Sequence, residues 1–167
     1  PDQFAGPLNY WDKMGSLKRK LTRNKVKNAK KVMCQSGFHK DILYKNLNLR
    51  NLESVGGNLW SIESLEKMRE ILKKQKQDKC SIMFSSISHK NSTKALQYCQ
   101  KNSLEHEFIQ SSDYHNFLEK LGQNKQFIFL PQSPETLSRV VVEARMMGVK
   151  VTTNPLVGAT EEDWFML

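Results

Sequence analysis

Residues 135–148 read ETLSRVVVEARMMG and stand between two short apolar runs, QFIFL at 126–130 and VKVTT at 149–153. Each apolar run has the length and composition of a buried strand. The apolar positions that recur at helical spacing between them are Leu137, Val140, Val141 and Ala144. Ser133 and Pro134 are a helix-start signal, because serine caps helices and proline suits the first helical position. The stretch therefore predicts a strand–loop–helix–strand unit.

The start of this helix is where we expect chemistry. In a parallel sheet, a helix N-terminus faces the crevice at the carboxyl ends of the strands, and its N–H groups and dipole favour an anion. Glu135 and Glu143 are eight residues apart, which on a helix is roughly 80° of azimuth and ~12 Å of rise. The two carboxylates would then meet the two ends of an extended ligand. Spacing alone favours a plainer alternative, in which Glu135 complements the dipole and Glu143 lies in solvent.

The run from Pro134 to Ala144, followed by the Gly148 turn, resembles the glutamate-x7-glutamate motif of retaining glycosyltransferases of the GT-B fold, family 4 type. In that family the first glutamate contacts the donor sugar, the second contacts the ribose hydroxyls, and amides at the helix start hold the diphosphate. The resemblance implies that Glu135 is the catalytic residue that touches the sugar. The donor-binding residues that it implies are Lys90, Leu137, Ser138, Arg139, Glu143 and Gly158.

Two further segments carry the resemblance. Residues 154–161 read NPLVGATE and are similar to the strand-end glycine loop of the family, which precedes an acidic residue. Lys90 follows a predicted strand at 80–85, where the family has a lysine that contacts the donor diphosphate. Ser85 stands where the family usually has an arginine, so the diphosphate would have one cation fewer. Lys90 fits an exposed loop lysine equally well.

Composition places the chain among folded proteins with a polyanionic partner. Its 167 residues, 38% of them hydrophobic, are enough for a sizeable core. No apolar run approaches the ~18 residues of a membrane-spanning helix, and no signal-peptide pattern opens the chain. The three cysteines, Cys34, Cys80 and Cys99, suit a reducing cytoplasm and lack the spacing of a zinc site. We therefore predict a cytoplasmic location, core cysteines and no metal or cofactor other than the donor substrate.

The basic residues are concentrated near the start of the chain. The net charge is +9, and residues 18–31 contain eight Lys or Arg and no acid. A solvated helix is the commonest fate of such a run. It also fits contact with an anionic membrane surface or an acceptor, whereas nucleic acid is disfavoured because no aromatic residues are interleaved for base stacking.

The remaining chain alternates predicted strands with predicted helices. The strands are expected at 31–35, 80–85, 104–109, 126–130 and 149–153, and the further helices at 38–46, 62–75, 92–101 and 114–121. Alternation of this kind predicts an α/β fold with a Rossmann-like parallel sheet flanked by helices. We expect residues 51–167 to form this donor-binding domain. Residues 1–50 would be the remnant of an acceptor-side domain that is mostly missing, and in them His39 fits a capping or surface histidine better than a ligand-facing one.

The leading functional hypothesis is thus the donor-binding half of a retaining glycosyltransferase that uses a nucleotide sugar, has an unknown acceptor and is inactive alone. Two alternatives stay open. One is a non-catalytic nucleotide- or phosphate-binding module that docks to nucleic acid or to an anionic membrane through its basic segment. The other is a degenerate domain retained as a scaffold.

Overall fold

The computed structural model describes residues 24–165, which fall into two compact units. Among the described residues, the first unit comprises 24–58, Ser133–Leu137 and 156–165, and the second comprises Leu59–Gln132 and Ser138–Pro155. The expectations for residues 1–23, including most of the basic run, lie outside the described part. The domain boundary at residue 50 stays a prediction.

The first unit is built on a two-stranded parallel sheet. Its strands β1 (Val32–Cys34) and β2 (Leu52–Ser54) are joined by helix α1 (Gly37–Leu47). Ser36 caps α1, because its hydroxyl accepts a hydrogen bond from the His39 N–H at 3.0 Å. The later part of the unit holds two 3₁₀ turns, Gly158–Glu161 and Asp163–Phe165.

The second unit is a four-stranded parallel sheet with the strand order β4-β3-β5-β6. Its elements in chain order are α2 (Ile62–Leu72), β3 (Gln77–Met83), α3 (Ser92–Lys101), β4 (His106–Ile109), α4 (Tyr114–Gly122), β5 (Asn124–Ile128), α5 (Arg139–Met146) and β6 (Lys150–Thr152). All three strand pairs are parallel, as βαβ connections require. The predicted α/β class with a Rossmann-like parallel sheet is confirmed.

Helices cover both faces of this sheet. Cys80 and Ile82 of β3 pack with Ala95 and Cys99 of α3 in one buried apolar cluster. Ser81, which alternates with them, points the other way and its hydroxyl lies 3.5 Å from the Lys120 carbonyl of α4. Helices α2, α4 and α5 contact one another on that second face. The three helix N-termini therefore lie at the carboxyl edge of the sheet, since each helix runs antiparallel to the strands.

Most predicted elements are present, with two smaller corrections here and a larger one at the start of α5. The serine at 61 and the aspartate at 113 cap α2 and α4, and the Asp113 carboxylate accepts from the Asn116 N–H at 2.7 Å. Residues 52–54, for which we predicted no strand, form β2. Asn91 rather than Ser92 is the N-cap of α3, and the Ser92 hydroxyl instead donates to the Met83 carbonyl at 2.7 Å.

The largest correction concerns the start of α5. The helix begins at Arg139 rather than after Ser133 and Pro134, and its N-cap, Ser138, has φ 66 and ψ 90. The backbone of Glu135 is used elsewhere: its N–H donates to the Leu156 carbonyl at 2.8 Å and its carbonyl accepts from the Gly158 N–H at 2.9 Å. These two hydrogen bonds pair the backbone of Glu135 with the segment around Val157, as in a parallel β-bridge. Glu135 is therefore not helical, and the helical geometry that we expected between Glu135 and Glu143 is wrong.

The three cysteines are buried and unoxidised in β1, β3 and α3. Burial raises the pKa of all three thiols, and that of Cys99 rises from 9.0 to about 11. A thiol that keeps its proton is a poor nucleophile. Their assignment to the core is therefore supported.

No helix within residues 24–165 is both long enough and apolar enough to cross a bilayer.

The packing at Gly122 gives a test of the second unit. A Cβ at Gly122 would collide with Ile71 Cγ2 and lie 3.1 Å from Met147 Sδ. Overpacking of this kind costs about 1–3 kcal/mol, against a gain in helix propensity of at most about 1 kcal/mol. We expect Gly122→Ala to lower the free energy of unfolding in urea by about 1–2 kcal/mol. Gly57→Ala is the control, because the nearest atom to its Cβ is the Val55 carbonyl oxygen at 3.9 Å; an equal loss there would contradict the explanation.

Candidate functional site

A buried carboxylate marks the centre of the candidate site. Glu143 lies in α5 and is only 3% exposed. One of its oxygens, Oε1, accepts from Trp60 Nε1 at 2.9 Å and from the Tyr114 hydroxyl at 2.7 Å. Arg139 Nε lies 3.5 Å from the same oxygen. A carboxylate so far removed from water is tolerated because it is paired and hydrogen-bonded.

The helix N-termini bring these four side chains together. Trp60 immediately precedes Ser61, the cap of α2, and Tyr114 is the first residue of α4. Arg139 is the first residue of α5 and lies one turn before Glu143. Because the three helices begin at the same edge of the sheet and pack side by side, residues far apart in sequence meet there.

Arg139 lies between two aromatic rings. Its guanidinium carbon is 5.4 Å from the Trp60 ring centroid and 5.9 Å from that of Tyr114, and its side chain is 50% exposed. Burial, and after it the hydrogen bond to Glu143, raises the pKa of Tyr114 from 10.0 to about 12. The phenol therefore keeps its proton at neutral pH and remains a donor to the carboxylate.

Ser138, unlike Glu143, has a buried polar group that no described residue satisfies. It is 7% exposed, and its hydroxyl has no hydrogen-bond partner among the described residues. Its carbonyl accepts from the Val141 and Val142 N–H groups at 3.1 and 3.3 Å, so the backbone enters α5 in the usual way although the side chain caps nothing. The residue that we expected to offer an amide thus also brings a buried polar group to the mouth of the helix.

Lys90 lies at the same edge of the sheet. It ends the 3₁₀ turn Ser88–Lys90, and its ammonium group is 5.5 Å from the ring centroid of Phe129, which directly follows β5. The Gln132 N–H donates to the His89 carbonyl at 2.9 Å and ties the turn to the segment after β5. The predicted phosphate lysine is therefore a positioned cation rather than an extended surface side chain.

The other three predicted residues belong to the first unit. Leu137 is buried, and Glu135 is partly exposed on a backbone held at both its N–H and its carbonyl. Packing accounts for the glycine at 158, because a Cβ there would meet the Thr136 carbonyl and the Ser36 hydroxyl. The roles of Glu135, Leu137 and Gly158 stay predictions from the resemblance.

His39 has a structural role in the first unit. Its Nδ1 accepts from the Gln35 N–H at 3.3 Å, and burial lowers the pKa of its imidazole below 6.5. It also borders an apolar cavity of about 270 Å³, whose other lining residues are Val26, Val32, Ile42, Leu43, Leu47, Pro134 and Thr136. The geometry favours the structural alternative for this histidine over a ligand-facing one.

Trp60 and Tyr114, the two aromatic residues that donate hydrogen bonds to Glu143, were not identified from the sequence. Their partner Glu143 is 83 and 29 residues away along the chain. Neither position carries a local signal, because each is an ordinary aromatic residue beside a helix cap. Within residues 24–165, no group of three His, Cys, Asp or Glu side chains is placed to hold a metal ion.

Comparison with known proteins gives likenesses of fold. No protein-family model and no curated protein matches this chain. Among solved structures, HepE from Anabaena in complex with UDP and glucose matches with a TM-score of 0.56 and 16% identity, over 90% of this chain and 51% of that one. The same protein in complex with UDP-glucose matches with a TM-score of 0.53 and 16% identity, over 88% and 51% of the two chains.

A glycosyltransferase from Rickettsia africae ESF-5 also matches, at 18% identity over 89% of this chain and 50% of that one. Its TM-score of 0.48 adds nothing to the two matches above. This chain spans about half the length of the solved proteins that it matches. At this level of identity the likeness establishes the α/β architecture.

Ser138 gives a test of the helix mouth. Alanine keeps the backbone strain of the positive φ but removes a buried hydroxyl without a partner, a group whose desolvation costs about 1–3 kcal/mol. We expect Ser138→Ala to raise the free energy of unfolding by about 1 kcal/mol, measured by urea titration. The matched control is Ser64→Ala, since the buried Ser64 hydroxyl lies 2.8 Å from Ser61 Oγ and its loss should destabilise. A loss of stability at Ser138 would show that its hydroxyl is already satisfied.

The lowered pKa of His39 predicts a pH dependence of stability. Below pH 6.5 the unfolded chain binds a proton at this imidazole more readily than the folded chain does, so the stability that neutral His39 contributes is lost as the pH falls below that value. We expect the fall in thermal midpoint between about pH 7 and pH 5 to be shallower in His39→Gln than in the parent chain. Parallel slopes would exclude His39 as the titrating group.

Proposed function

We propose that this chain is the donor-binding half of a glycosyltransferase that takes its sugar from a nucleoside diphosphate sugar. The observation that carries the proposal is the set of polar groups at the N-terminus of α5. A buried Ser138 hydroxyl with no partner among residues 24–165, an arginine at the first helical position and a buried carboxylate one turn later all lie at this helix N-terminus. Anion-binding and diol-binding groups at the carboxyl edge of a parallel sheet are what a nucleotide requires.

In this proposal the diphosphate lies at the N-terminus of α5. The first N–H groups of the helix and the Ser138 hydroxyl donate to its oxygens, and the helix dipole favours its charge. Arg139, half exposed at the first helical position, and Lys90, held beside Phe129, supply positive charge at the same edge of the sheet. Lys90 and the helix N-terminus, rather than a metal ion, take up the charge of the leaving group.

Glu143 accepts hydrogen bonds from the ribose hydroxyls. A sugar diol offers two donors, and a buried carboxylate binds such donors more strongly than an exposed one does. We assign backbone contacts with the donor to Leu137 and Gly158 from the resemblance of their motifs alone. Glu135 contacts the sugar and acts in catalysis, an assignment that rests on the resemblance of its motif.

The reaction transfers a glycosyl group. The bond between the anomeric carbon and the diphosphate oxygen breaks, a bond to an acceptor oxygen forms, the acceptor loses its proton, and the nucleoside diphosphate departs with the electron pair. We propose retention of the anomeric configuration, as in the family that the motif resembles. HepE, whose fold this chain shares, has been solved with UDP and with UDP-glucose. Because the chain spans about half of HepE, we propose that the acceptor site lies in a further domain.

Nucleotide binding tests the proposal directly. Calorimetric titration with UDP, ADP and GDP, and with their glucose conjugates, should give saturable binding of one nucleoside diphosphate. Glu143→Gln and Lys90→Ala should each weaken that binding about tenfold or more, because each removes a charged partner of the ligand. Glu70→Gln and Lys101→Ala, exposed positions on α2 and α3, are the matched controls and should bind as the parent chain does.

The same titration at two salt concentrations separates the alternatives. No binding of any nucleoside diphosphate would contradict the proposal. Binding of oligonucleotides with a steep salt dependence, and without preference among nucleotides, would favour the basic nucleic-acid module instead.

A further inference from the structure

Trp60 and Tyr114 hold one oxygen of Glu143 from two sides. The indole N–H and the phenol O–H both donate to Oε1, at 2.9 and 2.7 Å, and Arg139 Nε lies 3.5 Å from that same oxygen. Trp60 precedes the cap of α2 and Tyr114 is the first residue of α4, so each donor is placed by a different helix from the one that carries Glu143. Rotation of the carboxylate about its last bond would break both hydrogen bonds at once.

The chemistry of these donors keeps the arrangement fixed. Trp Nε1 is only a donor, so it serves an acceptor such as the carboxylate and cannot exchange roles with a ligand hydroxyl. The Tyr114 phenol stays protonated well above neutral pH, because burial raises its pKa to about 12. Arg139 lies over both aromatic rings, which limits its freedom to swing between the two carboxylate oxygens.

We infer that Trp60 and Tyr114 are positioning residues that direct the second oxygen of Glu143, Oε2, at the ribose diol and thereby make the site selective for ribonucleotides over 2′-deoxyribonucleotides. The inference rests on the proposed function, and it adds which residues set the sugar preference of the site. Neither aromatic residue needs to touch the nucleotide.

Orientation decides selectivity because the lost hydroxyl leaves a buried acceptor unpaired. A site built to hydrogen-bond a substrate hydroxyl rejects the analogue that lacks it, since the partner in the site is then left desolvated. A carboxylate free to rotate would instead turn toward whichever donor remains. Fixing Oε1 therefore converts a general affinity for nucleotides into discrimination at the 2′ position.

The test compares UDP with 2′-deoxy-UDP, or the corresponding pair for whichever nucleoside diphosphate the chain binds. We expect the parent chain to bind the ribonucleotide at least about tenfold more tightly than the deoxy form. Tyr114→Phe and Trp60→Phe remove one donor each and keep most of the ring. Each should lower the ratio of the two affinities about three- to tenfold, mainly through the ribonucleotide.

Matched substitutions elsewhere control for generic damage. Tyr44→Phe removes the hydroxyl of an exposed tyrosine on α1, and Trp164→Phe removes an indole N–H that donates to the Gly56 carbonyl at 2.8 Å. Both should leave the ratio of affinities unchanged. If Trp60 and Tyr114 had only a structural role, Tyr114→Phe and Trp60→Phe would weaken the binding of both nucleotides equally. The ratio of the two affinities would then stay unchanged, and the inference would be overturned.

A double-mutant cycle links the effect to Glu143. In the Glu143→Gln background, Tyr114→Phe should no longer change the ratio of affinities, because the group that it positions is gone. An undiminished effect there would show that Tyr114 acts on the ligand by another route and would overturn the inference.

A spectroscopic measurement on the unaltered chain covers the case in which a variant does not fold. The chain has three tryptophans, so three indole N–H signals are expected in a ¹H–¹⁵N spectrum. UDP should shift the Trp60 signal more than 2′-deoxy-UDP does, because only UDP has the 2′-hydroxyl that donates to the carboxylate to which Trp60 also donates. Equal shifts would count against the inference. If the parent chain binds no nucleoside diphosphate, the proposed function fails as well; if it binds UDP while the variants keep the parent ratio, only the inference fails.

Discussion

The second unit is organised around one buried negative charge. The Glu143 carboxylate lies almost wholly out of water, where an unpaired ion would cost several kcal/mol by general estimates. It is accommodated because Trp60, just before α2, and Tyr114, at the start of α4, donate hydrogen bonds to it, and Arg139 in α5 forms an ion pair with it. Removing the carboxylate would leave those donors unmatched, and removing a donor would leave the charge less compensated. The relative placement of the three helix N-termini is thus constrained by this one carboxylate.

That constraint explains features that would otherwise be unrelated. Burial, and after it the hydrogen bond to Glu143, raises the pKa of Tyr114 to about 12, so the phenol keeps its proton at neutral pH. Arg139 is half exposed, but the carboxylate on one side and the two aromatic rings on the others limit where its guanidinium can lie. The alternative in which Glu143 lies in solvent is excluded by its burial. Arg139 compensates part of the charge of the adjacent Glu143 carboxylate.

Local signals in the sequence predicted the layers of the fold but not the contacts of the site. Short apolar runs and helix caps such as Ser61 and Asp113 act within a few residues, so strands and helices could be read in order with small errors at their ends. The start of α5 was missed because Ser138, its N-cap, has a positive φ and Glu135 is bridged to Val157, and neither feature follows from the residue types in this stretch. Trp60 and Tyr114 were missed because a hydrogen bond across 83 or 29 residues leaves no local pattern.

The two polar groups at the mouth of α5 differ in a way that separates stability from ligand binding. If this helix end had only a structural role, both groups would be expected to be satisfied within the chain, as nearly all buried polar groups are. One oxygen of Glu143 accepts two hydrogen bonds and is paired with Arg139. The Ser138 hydroxyl is not satisfied by any described residue, and its backbone is held in a sparsely populated conformation. A buried unsatisfied group on a strained residue lowers stability and persists where an outside partner completes it. The carboxylate therefore organises the helices, and the hydroxyl one turn before it is the group to which we propose that the ligand binds.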